Sequence, residues 1–154
     1  MIAPGPATEH NTGHIAVPTD IRLRKKSGLL ELRYNDGTRH ELPAELLRVF
    51  SPSAEVKGHG KGQEVLQTGK RLVQMTAIEP IGQYAIRLSF DDGHDSGIYS
   101  WDYLYHLGEQ QQTLWQQYLD RLQQAQASRD ALPAGTQAIK IVDPTRNSGP
   151  AGGQ

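Results

Sequence analysis

The sequence predicts an α+β fold: a small antiparallel β-sheet domain of about five to six strands, with one short helix, a C-terminal helix and flexible tails. Three observations carry this. Short segments of period-two alternation are separated by turns, two of them Asp-Gly: Asp36-Gly37 within the first pair and Asp92-Gly93 before GIYS. A helix-like PAELLRVF follows the first pair, and from Glu109 the apolar period changes to four.

The elements follow in order. DIRLRKKSG alternates Ile21 and Leu23 with Arg22 and Arg24, a half-buried strand. In LLELRYNDGTRHEL, Leu30, Leu32 and Tyr34 alternate with Glu31 and Arg33; Asn35, Asp36 and Gly37 turn the chain, and Thr38, His40 and Leu42 continue the pattern. Pro43 starts the short helix, since its missing N–H has no partner in a first turn anyway, and Leu46, Leu47 and Phe50 form the apolar side. A loop spans 51–71. LVQMTAIEP and QYAIRLSFDDGH form a second strand pair, the latter with Tyr84, Ile86, Leu88 and Phe90 on one face, and GIYS adds a short strand. SWDYLYHLG is a helical turn capped by Ser100 and stopped by Gly108. Leu114, Tyr118 and Leu122, flanked by Trp115 and Leu119, mark the C-terminal helix that should cover a sheet face.

Of 154 residues, 36% are hydrophobic, enough for one small domain with a core. Residues 1–18 and 128–154 lack apolar periodicity and carry Gly, Pro and Ser, so they are expected to be flexible tails around a domain at 19–127. No apolar run approaches the ~20 residues of a membrane span, and no signal peptide opens the chain. A cytoplasmic protein is expected. There are no cysteines, hence no disulfide, thiolate nucleophile or cysteine metal site. The net charge of −1 is unevenly spread. Ile21–Leu72 holds eleven Lys/Arg against six Asp/Glu, and Val73–Asp130 three against eight.

The glycine string GHGKGQEVLQTGK lacks the spacing of a P-loop, and no strand leads into it as a dinucleotide fingerprint requires. Its Lys57, His59, Lys61, Lys70 and Arg71 remain candidates for binding an anion or an acidic partner. DDGHDSG gathers Asp91, Asp92, His94 and Asp95, types that hold divalent cations or move protons. The spacing fits neither an iron facial triad nor a calcium loop, and a polar turn joining two strands is the favoured reading. Nucleic-acid binding is not expected: no aromatics interleave with Arg24–Lys26, and the chain is near neutral. Trp101, Tyr103, Tyr105 and Trp115 read as core or groove wall.

The Asn-Asp-Gly hairpin, LPAELLR, a loop, a second hairpin and DGHDSGIYSWDYL together resemble the domain at the N-terminus of gamma-butyrobetaine and trimethyllysine hydroxylases. That domain also occurs as stand-alone bacterial DUF971 proteins and fused to Mrp-type ATPases that carry iron–sulfur clusters. The resemblance covers residues 18–122. It implies a structural zinc held by Cys-Pro-Cys-x-x-Cys and a distant His, which here fall on Ser51, Pro52, Ser53, Ala54, Glu55 and Val56, and on His94. Two hydroxyls and an isopropyl group cannot replace three thiolates in a tetrahedral zinc site. In one reading Ser51 or Ser53 hydrogen-bonds His94 in place of the metal. In the other, His94, His59 and Asp92 or Asp95 form a different iron or zinc site.

The resemblance implies no enzyme, since oxygenase chemistry belongs to a separate domain. The expectation is a non-catalytic interaction module, without cofactor, nucleic acid or membrane, whose surface comprises the 51–71 loop and the DDGHDSGIYSWDYL segment, including Trp101 and Tyr103. Its expected partner is a protein, such as an iron–sulfur assembly or carrier protein, with self-association of the basic and acidic halves as a further route. The alternative is a metal-binding protein.

Overall fold

In a computed structural model, residues 16–58 and 62–131 are described. The first meander comprises β1 (Asp20–Arg24), β2 (Leu29–Arg33) and β3 (Arg39–Pro43), in that order and antiparallel. Its register pairs Leu32 with Ile21 and His40, and Leu30 with Leu23 and Leu42, so one face is apolar. The connecting turn uses Gly37 at φ +91°, and Asp36 Oδ1 accepts the Thr38 N–H at 2.9 Å.

Pro43 closes β3 and stands at the N-cap of helix α1 (Ala44–Val49), which begins one residue after the expected start at Pro43. Every residue of α1 is buried, Glu45 and Arg48 included. Within the expected loop Ser53 caps a one-turn helix, α2 (Ala54–Lys57), accepting the Glu55 N–H.

The second sheet is β4 (Met75–Ile81), β5 (Ala85–Phe90) and β6 (Gly97–Ser100), again antiparallel. Thus, among the described residues, six strands form two three-stranded sheets. Ile86, Leu88 and Phe90 face the core as expected, but Tyr84 falls in the β4–β5 turn and is exposed.

Helix α3 (Trp101–Glu109) starts where Ser100 Oγ accepts the Tyr103 N–H at 3.1 Å. Gly108 does not stop it: the residue lies inside α3, where a Cβ would collide with the His40 ring. The chain bends at Gln110 into α4 (Gln111–Gln124).

One core joins Leu30, Leu32 and Leu42 to Leu46 and Leu47 of α1, Ile86, Leu88 and Phe90 of β5, and Leu104 and Leu107 of α3. Helix α4 was expected on a sheet face; instead Tyr118 and Leu122 pack against Val49, Phe50 and Leu66, at the end of α1 and on the loop. Residues 128–131, expected within a tail, are tied back. Arg129 makes a bidentate bond to Glu45 and lies over the Trp115 ring, and the Gly69 N–H donates to the Ser128 carbonyl.

Candidate functional site

Ser51 leaves the end of α1, and His94 lies between β5 and β6. Packing of β5 and β6 against α1 brings them together. Ser51 Oγ stands 2.8 Å from His94 Nε2, with Ser51 fully buried and His94 only 5% exposed. His94 Nδ1 lies 3.1 Å from Glu55 Oε1. A carboxylate can only accept, so Nδ1 carries the proton, and Nε2 accepts from the Ser51 hydroxyl. Ser51 Oγ accepts the Ser53 N–H at 3.2 Å, and Ser53 Oγ bonds Ser96 Oγ at 2.7 Å. Val56 is buried beside them, its N–H donating to the Ser53 carbonyl at 2.9 Å. The four positions aligned with the zinc clip therefore form one hydrogen-bonded unit. Burial, reinforced by the Arg48 charge, lowers the His94 pKa from its ordinary value, although Glu55 and Asp92 pull the other way.

A second knot sits beside the first. Asp92 Oδ2 accepts from Arg48 Nε at 2.8 Å and Lys70 Nζ at 2.7 Å, and Oδ1 accepts the His94 N–H at 3.1 Å. Burial opposes ionisation of Asp92, but Lys70, the His94 amide and Arg48 together hold its pKa down at about 2. Three tyrosine hydroxyls complete the fastening: Tyr99 donates to the Leu47 carbonyl, Tyr103 to Phe50 and Tyr118 to Gln67.

These donors do not fit zinc or iron. Both His94 ring nitrogens already have partners, Asp92 is held by two cations, and Ser51, Ser53 and Val56 supply no anionic ligand. Among the described residues no three His, Asp or Glu side chains gather as a metal site. Asp95 is exposed and His59 lies outside the described residues. The Ser–His–Glu order is that of a nucleophilic triad, yet Ser51 Oγ is sealed: a Cβ on Gly97 would come within 2.5 Å of it. As arranged, the relay positions a loop and presents no nucleophile to a substrate.

Of the basic candidates, Lys57 Nζ lies 4.9 Å from the Tyr103 ring centroid, Lys70 bonds Asp92 and Arg71 bonds Asp130. Lys61 lies outside the described residues. Trp101 stands apart at the β4–β5 turn, donating to the Gln83 carbonyl. Sequence reasoning missed Glu55 and Ser96 as partners in the clip, and the exposed Val65 and Leu72 on the loop. Glu55, two residues after the Ser53 cap, left a faint signal; Ser96 left none.

The family model described as gamma-butyrobetaine hydroxylase-like, N-terminal, matches residues 21–105. The chain is similar to two NMR solution structures. One is 49% identical with a TM-score of 0.68, covering 82% of this chain and 99% of the other. The second is 45% identical with a TM-score of 0.66, covering 90% and 98%. It is also similar to the crystal structure of a DUF971 protein of unknown function from Acidithiobacillus ferrooxidans, at 36% identity and a TM-score of 0.50, covering 59% and 91%. No curated protein matches it. Fold, motifs and relatives agree: the chain belongs to the gamma-butyrobetaine hydroxylase-like N-terminal domain family, DUF971.

Proposed function

We propose that this chain is a non-catalytic binding module that docks a protein partner through the 51–71 loop, with Leu72 at its end, and the neighbouring β5–β6 turn, acting beside iron–sulfur or iron-dependent proteins. One observation carries the reading. Val65 and Leu72, 52% and 81% exposed, stand on a loop that is fastened elsewhere by the Ser51–His94 clip, by the Lys70–Asp92 bond and by Tyr118, which donates to the Gln67 carbonyl. Apolar side chains held out by a pre-ordered loop suit binding, because little ordering entropy is lost on contact. Lys57, Lys70 and Arg71 lie on the same loop, and the basic balance of this half of the chain favours an acidic partner. The link to iron rests on the family, whose members precede iron-dependent hydroxylases or are fused to iron–sulfur ATPases.

Titration calorimetry with a purified iron–sulfur carrier protein tests this. The wild-type chain should bind, and Val65→Asp with Leu72→Asp should weaken binding at least about tenfold with little change in thermal midpoint. Equal affinity of the double variant removes the loop surface; no binding by the wild type removes the iron–sulfur partner.

A further inference from the structure

The outer face of the first sheet is an arginine lattice. Its register sets Asp20, Arg33 and Arg39 in one row and Arg22, Glu31 and Glu41 in the next, with Arg24 on β1 beyond. Glu31 sits at the centre with its side chain wholly covered, and what covers it is guanidinium. Arg24 Nη2 lies 2.6 Å from Oε1; Arg33 Nε at 2.7 Å and Arg39 Nε at 3.0 Å reach Oε2. Arg33, then Arg24, hold the Glu31 carboxyl down to about 2, so it stays ionised and fixes all three cations.

The arginines remain open to solvent. Side chains of Arg22, Arg24, Arg33 and Arg39 are 55%, 45%, 45% and 52% exposed. Each guanidinium carries five N–H donors. Among the described residues Arg33 uses Nε on Glu31 and Arg22 uses Nε on Asp20, so their terminal amino groups face outward. Four arginines against Asp20, Glu31 and Glu41 leave an excess of one positive charge, and the exposed Lys25 and Lys26 of the adjoining turn add two more.

We propose that this face is a docking surface for a carboxylate-rich protein segment lying extended along β1–β3. Charge complementarity selects an anionic partner. The fork of the guanidinium matches a carboxylate in two parallel bonds. Alternate side chains of an extended segment repeat at about 6.8 Å, the spacing of successive rows on one sheet face. None of the lattice residues is aromatic, so bases would have no stacking platform. The inference is independent of the loop surface.

An octapeptide alternating Glu and Ser, titrated into the full chain and followed by amide NMR shifts, is the test. Shifts should concentrate on residues 20–43, and affinity should fall as salt rises. Arg33→Gln with Arg39→Gln should weaken binding at least about tenfold. Should that variant lose its fold by uncovering Glu31, Arg22→Gln with Lys25→Gln and Lys26→Gln keeps the cover intact and should weaken binding to a similar degree. Shifts elsewhere only, or undiminished affinity in the folded variant, overturn the proposal. Tighter binding of an oligothymidylate at the same residues also overturns it, in favour of a nucleic-acid surface.

Discussion

Ser51 Oγ and His94 Nε2 meet at 2.8 Å across forty-three residues of chain, inside a site closed to solvent. Removing the hydroxyl leaves a buried ring nitrogen without a donor, and such an orphan costs about 1–3 kcal/mol. Ser51→Ala should therefore lower the thermal midpoint by about 4–8 °C or more. A double-mutant cycle with His94→Gln should show coupling between the two sites. Additive effects would mean that the contact contributes nothing to stability.

Acid should act on this clip first. Because burial and Arg48 lower the His94 pKa from 6.5, the unfolded chain takes up a proton before the native one does. The stability this group contributes is complete above about pH 6.5 and is lost as pH falls towards the native pKa. Urea midpoints at pH 7.5 and 5.5 should differ in that direction, and His94→Gln should flatten the slope. An equal or higher midpoint at pH 5.5 in the wild type would contradict the assignment.

Asp92 governs a lower range. Its pKa, about 2 in the fold against 3.8 in the free side chain, makes its contribution full above about pH 4 and lost as pH falls towards 2. Because Asp92 is solvent-exposed, screening discounts that shift, and its contribution to stability is on the order of 1 kcal/mol. Asp92→Asn should remove about that much at pH 7 and leave Arg48 buried opposite a neutral amide. Chemical denaturation at pH 7 and pH 3 checks this: the gap between variant and wild type should be smaller at pH 3, and it closes only as pH approaches 2.

Gly108 inverts the usual helix rule. Alanine inside a helix ordinarily gains about 1 kcal/mol over glycine. Here the added methyl would strike the His40 ring, which is held edge-on between Tyr34 and Tyr105 at 5.8 and 5.3 Å. Gly108→Ala should thus destabilise by about 1–3 kcal/mol, measured by thermal unfolding. A stabilised variant would show that His40 moves aside freely.

These sites also show what the sequence discloses. The hairpins were legible because alternation and an Asp-Gly turn are local signals, and Ser100 was legible as a cap because its acceptor role is local too. The pairing of Ser51 with His94 was one of two readings, and it came through the family resemblance rather than through spacing. Gly108 was misread as a helix stop because its role is set by His40 on another element. Alternation places Glu31 on the face opposite Leu30 and Leu32 and says nothing of its burial, which is produced by arginines on three strands. The docking of Arg129 on Glu45 spans eighty-four residues and has no local mark. Long-range polar contacts, then, are where sequence reasoning ran out.

A hydrogen-bonded relay stands at the positions onto which the family resemblance places a metal clip. Elemental analysis of untagged protein, paired with thermal melts with and without a chelator, addresses it most directly. The account predicts less than ~0.2 zinc or iron per chain and an unchanged midpoint. A stoichiometric metal whose removal lowers the midpoint would contradict it.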